Sequence, residues 1–311
     1  MYMKASENVE MGCDVTPEIP PLAWALSDSL LSSRCSACFS KLINYFHCTG
    51  HCGGAVIYCS QQCRDTDIRT HLHSGECHLL NNARAHAYAI STSDLRAAVR
   101  LLFLDSSLST HSSRISNLMT NHDCLLGRKR KRHKPSNSTN GDKSNSDCEE
   151  FAQEIEECAR VIHLARKHAS GAMECDCDGQ RMEEEALCAV ITNGVQVQLD
   201  QLQMTFTGVS EVHCLVLGTA VYGSLFSWCN HSCRPNASYR FVLHTGLDSQ
   251  TQQKTDSRNG IFIQPSNEES NFVSVAKKTM VHGPGVLLRT IRRVSKGEEI
   301  FITYTDLMQP K

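Results

Sequence analysis

Residues 35–77 read CSACFSKLINYFHCTGHCGGAVIYCSQQCRDTDIRTHLHSGEC. The chemistry-bearing residues fall in four pairs: Cys35-x2-Cys38, Cys48-x3-Cys52, Cys59-x3-Cys63 and His73-x3-Cys77. A structural zinc ion takes four tetrahedral nitrogen or sulfur donors and leaves no position open. Residues two or three apart can clamp one ion from a turn or from a single helical turn, so eight donors in 43 residues make two full sites. The segment is too short for an apolar core of its own, and metal binding is expected to supply its folding free energy. His71 and His73 are both available as the histidine donor. The spacing His73-x3-Cys77 suits a helix that presents both residues on one face. The competing reading, a set of buried free cysteines, is disfavoured by the paired spacing.

The rest of the chain sets the context for that segment. Seventeen cysteines is a high count for 311 residues, and seven of them lie in 35–77. The N-terminal stretch MYMKASENVE has no apolar signal core, and no run approaches the length of a membrane span. Reduced thiols are expected, so clustering points to metal rather than disulfides. A hydrophobic fraction of 41% is enough for a packed core, and a net charge of −2 gives no global pull toward nucleic acid or anionic membrane.

Before the cysteine cluster, spaced apolar residues and Pro20-Pro21 suggest short strands and turns, then a helix over 22–31. Helical periodicity covers 83–104, with Ser93 or Asp94 as an N-cap for its second stretch. Residues 105–148 lose apolar content and read as a disordered insertion rich in Ser and Asn. Helical pattern returns over 149–169 and around 183–190. From Gly208 onward short apolar runs at 238–243, 272–276, 286–290 and 300–304 read as strands, and 245–259 as a polar loop. No internal repeat is evident.

A second dense signal is Asn230-His231-Ser232-Cys233-Arg234-Pro235-Asn236. Asn and His side chains beside a proline can hydrogen-bond a polar ligand, or can simply cap a polar turn. The sequel Lys296-Gly297-Glu298-Glu299-Ile300-Phe301-Ile302-Thr303-Tyr304 shifts the balance toward a ligand. Together the two segments resemble the signature motifs of SET lysine methyltransferases. The cysteine module, with its Tyr58-Cys59-Ser60 step, resembles a MYND zinc finger. A SET domain interrupted by such a finger is similar to the SET-and-MYND (SMYD) family, over most of residues 3 to 308.

That resemblance implies an α+β fold: a β-rich SET domain interrupted by a two-zinc finger and a helical insertion. The divisions are 1–34, 35–77, 78–190 and 191–311. It implies interleaved sites, with Cys35, Cys38, Cys59 and Cys63 holding one ion and Cys48, Cys52, His73 and Cys77 the other. Both ions are structural in that family, whose fingers dock proline-containing peptides rather than DNA. It further implies methyl transfer from S-adenosylmethionine to a protein lysine, histone or non-histone. Asn230, His231 and, by a shorter match, Asn193 would contact the cofactor, and Tyr304 would do so too, setting its phenol oxygen beside the reacting amine and the cofactor's methyl group. A free lysine amine has a pKa of about 10.4 and must lose a proton before it attacks. A sulfonium neighbour and an apolar channel both disfavour the ammonium form, and alignment provides much of the rate.

The chain departs from the family pattern in several places. Ile68 stands where the finger usually has an aromatic residue before its last histidine. Met3–Val9 resembles the strand that follows a Gly-x-Gly segment, but the single such triplet is Gly283-Pro284-Gly285. Cys233 lacks the Cys-x-Cys-x2-Cys cluster that usually completes its zinc site, and Cys175-x-Cys177 lies on the wrong side of the core motifs to replace it. The helical repeat domain common at the C-terminus of the family is also missing. The alternative function is therefore a catalytically inactive adaptor, or a fragment of a longer enzyme, acting through protein–protein binding. The basic run RKRKRHK at 128–134 suits nuclear import, which makes a nuclear and/or cytoplasmic location the expectation. Direct DNA binding is not expected, because no groove-reading element accompanies the run.

Overall fold

The structure is a computed structural model that describes residues 2–82, 85, 87–106, 117–127, 143–171, 179–204, 210–243, 262–266 and 283–304. The N-terminal part carries β1 (Met3–Ala5), β2 (Pro21–Leu26), β3 (Phe46–His47), β4 (Ile57–Tyr58), α1 (Gln61–His73) and α2 (Glu76–Leu80). The helical middle carries α3 (Thr92–Ser106), α4 (His122–Leu125), α5 (Lys143–Ser170) and α6 (Gly179–Asn193). Then follow β5 (Gly194–Met204), β6 (Ser210–Tyr222), α7 (Ser224–Ser227), β7 (Asn230–His231), β8 (Ala237–Val242), β9 (Ile263–Pro265), β10 (Gly285–Thr290) and β11 (Phe301–Ile302). The fold is a mixture of helix and sheet.

β2 organises the packing. It pairs antiparallel with β6 in a sheet of order β2-β6-β5. Successive side chains of a strand point to opposite faces. Trp24 and Leu26 therefore join one core with Met3, Tyr222, Val286 and Ile300, while Ala23 and Ala25 turn into a second core with α3, α5 and α6. Small residues on that second face let α3 lie close against the sheet. Burying α3 on nearly all sides explains why Leu95, Ala98, Val99, Leu101 and Leu102 are almost wholly inaccessible. Among the smaller ladders, β1 with β9 joins the N-terminal segment to the C-terminal one, and β8 pairs with β10 within the C-terminal part. Isolated bridges Val9↔Val294, Asp14↔Arg289 and Ile19↔Val286 extend this zipper between the N-terminal and C-terminal segments.

Several expectations change. The helix expected over 22–31 is instead strand β2 followed by a single 3-10 turn at Asp28–Leu30. A short apolar run cannot be assigned by period alone, and here tertiary pairing with β6 decided it. β5 begins at Gly194, well before the expected onset of strand at 208. Part of the insertion read as disordered is packed: Leu118, His122 and Leu126 are buried around α4. α5 begins at Lys143, earlier than expected, and α3 begins only at Thr92. The run 128–134, the pair Cys175 and Cys177, the loop 245–259 and the strand expected at 272–276 lie outside the described residues. Among the described residues no helix is long and apolar enough to cross a membrane.

Gly75 joins α1 to α2 with φ +98°, and a Cβ there would lie 2.8 Å from the backbone of Ala165 and Arg166 in α5. Left-handed backbone costs a non-glycine residue about 1–2 kcal/mol, and overpacking against rigid backbone about 1–3 kcal/mol more. Gly75→Ala is therefore expected to lower stability by roughly 2–5 kcal/mol. Urea denaturation would check it, and an unchanged midpoint would mean that α5 can move away.

Candidate functional site

The cysteine segment folds as a short hairpin followed by two helices. β3 and β4 pair, and the Cys48 N–H bonds to the Val56 carbonyl at 2.9 Å, which turns Cys48 and Cys52 toward each other. Ser60 caps α1 by accepting from the Cys63 N–H at 3.1 Å, so Cys59 and Cys63 flank the cap. Two four-residue clusters result: Cys35, Cys38, Cys59 and Cys63, and Cys48, Cys52, His71 and Cys77. Within each, one donor atom per residue lies within 4.8 Å of all the others.

The spacings are those of a metal cage. Tetrahedral zinc with Zn–S near 2.3 Å sets sulfurs about 3.8 Å apart. Here Cys38–Cys59, Cys59–Cys63 and Cys48–Cys77 sulfurs are 3.7, 3.6 and 3.9 Å apart, and Cys52 Sγ is 3.7 Å from His71 Nε2. A disulfide would need about 2.05 Å. Backbone N–H groups of Gly50 and Cys52 point at the sulfurs of Cys48 and Cys77, at 3.2 and 3.1 Å, as suits thiolate acceptors. A Cβ on Gly50 would fall 2.8 Å from the Cys77 sulfur, so that position has to be glycine. Contact with Cys35 is the largest influence lowering the Cys38 thiol, to about 7, while contact with Cys38 pushes Cys35 up. A cation at the centre removes that competition by favouring every thiolate at once.

His73, expected as the histidine donor, is exposed, and His71 stands in its place at 0% exposure. The reason is helical phase. Cys63, Asp67 and His71 are spaced by four and form the buried stripe of α1, whereas His73 is two residues further round the helix.

His71 opens onto a buried ionic network. Its Nδ1 donates to Glu76 Oε2 at 2.9 Å, which leaves Nε2 aimed at the cysteines. Glu76 accepts from Arg96 Nε at 2.9 Å and Arg100 Nε at 2.7 Å. Arg100 also grips Asp67 with both Nη atoms, at 2.7 and 3.0 Å, and Tyr58 donates to the same carboxylate at 3.1 Å. Arg96 continues to Asp28 Oδ1 and the Leu26 carbonyl. Burial opposes the charge on Glu76, but Arg100 and Arg96 outweigh it and hold its carboxyl well below the usual range.

The second constellation is built by strand crossing. β11 lies parallel to β7, with Phe301 beside Asn230 and Ile302 beside His231. Asn236, wholly buried, locks the crossing. Its Oδ1 accepts from the Phe301 N–H at 2.8 Å, and its Nδ2 donates to the Glu299 carbonyl at 2.7 Å. The Asn230 side chain donates to Glu299 Oε1 at 2.7 Å. The Tyr304 N–H donates to His231 Nδ1 at 3.0 Å, which assigns the neutral ring proton to Nε2, facing Cys233 Sγ at 3.3 Å. The Tyr304 hydroxyl donates to the Cys229 carbonyl at 2.6 Å, and its ring sits 5.4 Å from that of His231. Burial, then the neighbouring Cys229, raises the Tyr304 pKa, so the phenol stays protonated at neutral pH.

His231 and Tyr304 thus meet, while the Asn230 side chain is turned to Glu299. Asn193 ends α6, and its Nδ2 donates to the Met119 and Ala189 carbonyls at 2.6 and 2.8 Å. It reaches the same neighbourhood only through the segment after 116, where Trp228 Nε1 donates to the Asn117 carbonyl at 3.2 Å. Asn236 lies within the 230–236 motif and His71 is the histidine that the spacing did not favour; the structure gives both a structural role.

Residues 54–305 match the SET domain family. The chain is also similar to Protein SET DOMAIN GROUP 41 of Arabidopsis thaliana, with 31% identity over 314 residues. That alignment covers the whole of this chain but only 46% of the relative, so the chain spans about half of its length.

Proposed function

The chain belongs to the SET-domain family, and from that premise we propose that it is an S-adenosylmethionine-dependent protein-lysine methyltransferase of the SET-and-MYND type. The observation that carries the reading is the parallel pairing of β7 with β11, which sets Tyr304 against His231 and Phe301 beside Asn230. Asn230 and His231 would hold the cofactor, with Asn193 contributing from the end of α6. When bound, S-adenosylmethionine supplies an electrophilic methyl group on a sulfonium centre.

The chain's own residues account for the rest. Tyr304, which is protonated and already donates to Cys229, retains acceptor lone pairs that can orient the N–H groups of a lysine amine. A protonated phenol cannot serve as the base, so the amine proton leaves to solvent. Two zinc ions, one in each four-residue cluster, hold the finger. Ile43 and Tyr45 are 75% and 62% exposed beside it and offer an apolar surface for a proline-containing peptide. The run at 128–134 would direct nuclear import.

Calorimetric titration with S-adenosylmethionine tests the enzyme reading. Binding in the micromolar range is expected, and Tyr304→Phe should retain that binding while methyl transfer to a lysine substrate falls about 100-fold or more. No heat at millimolar cofactor would sink the reading and leave the adaptor function, for which the exposed Ile43 and Tyr45 already speak.

A further inference from the structure

We propose that Glu76 is a positioning residue for the second metal cluster, and that through Arg96 and Arg100 it ties metal retention there to the seating of α3 on the β2–β6 sheet. The inference rests on the zinc reading above and goes beyond it.

A metal-bound histidine is held by the partner of its other ring nitrogen, and loss of that partner typically weakens metal binding about 10- to 100-fold. Glu76 is that partner for His71. Such a carboxylate usually has one job, but Glu76 is fully buried and shared three ways, with its Oε1 on Arg96 and its Oε2 on His71 and Arg100. Both arginines lie one turn apart on α3, and both are 0–1% exposed. Their far ends fasten elsewhere: Arg96 to the Leu26 carbonyl at the end of β2 and to Asp28, Arg100 to Asp67 on α1 and over the Trp24 ring at 5.4 Å. At its N-terminal turn α3 is fixed to β6, where Thr219 Oγ1 donates to Asp94 Oδ1 at 2.7 Å. A continuous chain of charge-assisted bonds therefore runs from the cysteine cluster through Glu76 to the central sheet.

The first cluster is built differently: its donors are four cysteines, which carry no second nitrogen to be oriented, and its link to β2 is the Trp24 Nε1–H donated to the Ser36 carbonyl at 3.3 Å. Removing one member of a buried charge network leaves its partners unpaired, which is costly. If His71 swings free of a metal, Glu76 loses a donor while still facing two arginines, and the α3 seat loosens. The inference thus makes the two clusters unequal: a ligand of the second is coupled through Glu76 to α3 and β2, and the first has no histidine to be oriented in this way.

The test compares the full chain with Glu76→Gln. Elemental analysis first fixes zinc at two per chain, and release to excess chelator is then followed colorimetrically. In Glu76→Gln one zinc should leave about 10- to 100-fold faster while the other keeps its native rate. Adding Glu76→Gln to His71→Cys, whose thiolate has no second nitrogen, should produce no further acceleration. A purely structural role for Glu76 would persist in that background and overturn the proposal. Should Glu76→Gln fail to fold, the unaltered protein still decides. Hydrogen exchange after removal of the faster zinc should expose amides of α3 and β2, and unchanged protection there would refute the coupling. A chain isolated without zinc would overturn this inference together with the metal reading. Two zinc ions leaving Glu76→Gln at native rates would overturn the inference alone.

Discussion

With zinc in both clusters, as proposed, stripping the two ions is expected to unfold residues 35–77, and no other single treatment should have a larger effect. The segment contains two strands of two residues each, and the hairpin they form is far below the size that is stable alone. Beside the cysteines themselves its buried apolar residues are Ala37, Phe39, Val56, Ile57 and Tyr58. Structural zinc contributes about 10–16 kcal/mol of apparent binding free energy in isolated fingers at neutral pH. Nothing else in the segment approaches that. Cys38→Ser and Cys77→Ser should each lower the zinc content from two to one, because each removes one of four donors from a different cluster. Elemental analysis and hydrogen exchange with chelator are the measurements. Fewer than two zinc ions per native chain, or full amide protection of 35–77 in excess chelator, would defeat the prediction.

The readable parts of this chain were those where chemistry forces spacing. Paired cysteines can be counted without a structure, because a tetrahedral ion needs its donors close in sequence or delivered by a turn. The same holds for the segment at 230–236 and its sequel at 296–304. Neither was convincing alone, but β7 and β11 bring them side by side, and Tyr304 closes on His231. β5 was legible and was missed: in Val195-Gln196-Val197-Gln198-Leu199 apolar and polar residues alternate strictly.

Other features were hidden for physical reasons. β2 is a six-residue apolar run whose strand character comes from pairing with β6, nearly two hundred positions later. On paper the spacing to Cys77 favours His73 over His71. The stripe Cys63, Asp67, His71, spaced by four, reveals which of them faces inward. Arginines are rarely fully buried, so nothing local marks Arg96 and Arg100 as core residues. Their carboxylate partners, Glu76 and Asp67, sit 20 and 33 residues away, a pairing that no local pattern announces. Long-range charge pairing is therefore where the sequence said least, and it lies between the finger and the sheet.

Asn236→Ala is expected to cost the second constellation its shape and the protein roughly 2–5 kcal/mol of stability. The side chain makes three hydrogen bonds to the crossing strand: from the Phe301 N–H, to the Glu299 carbonyl, and to Glu298 Oε1. Alanine leaves the Phe301 N–H and the Glu299 carbonyl without those partners, and each unsatisfied backbone group costs about 1–3 kcal/mol where water cannot replace the bond. The backbone bonds from the Asn236 N–H to the Phe301 carbonyl and from the Ile291 N–H to the Asn236 carbonyl should survive, so the fold is weakened rather than abolished. Asn236→Asp keeps the shape but turns a donor into an anion facing the Glu298 carboxylate and the Glu299 carbonyl, and should cost at least as much. Since Asn236 anchors β11, both variants should also loosen Tyr304 from His231 and weaken S-adenosylmethionine binding. Tyr304→Phe is the contrast, because a side chain 59% exposed that loses one hydrogen bond should cost only about 1 kcal/mol. Thermal unfolding and cofactor titration of the three variants separate the cases. If Asn236→Ala melts within a degree or so of the native chain, Asn236 is not the lock described here, and the crossing must be held by backbone bonds alone.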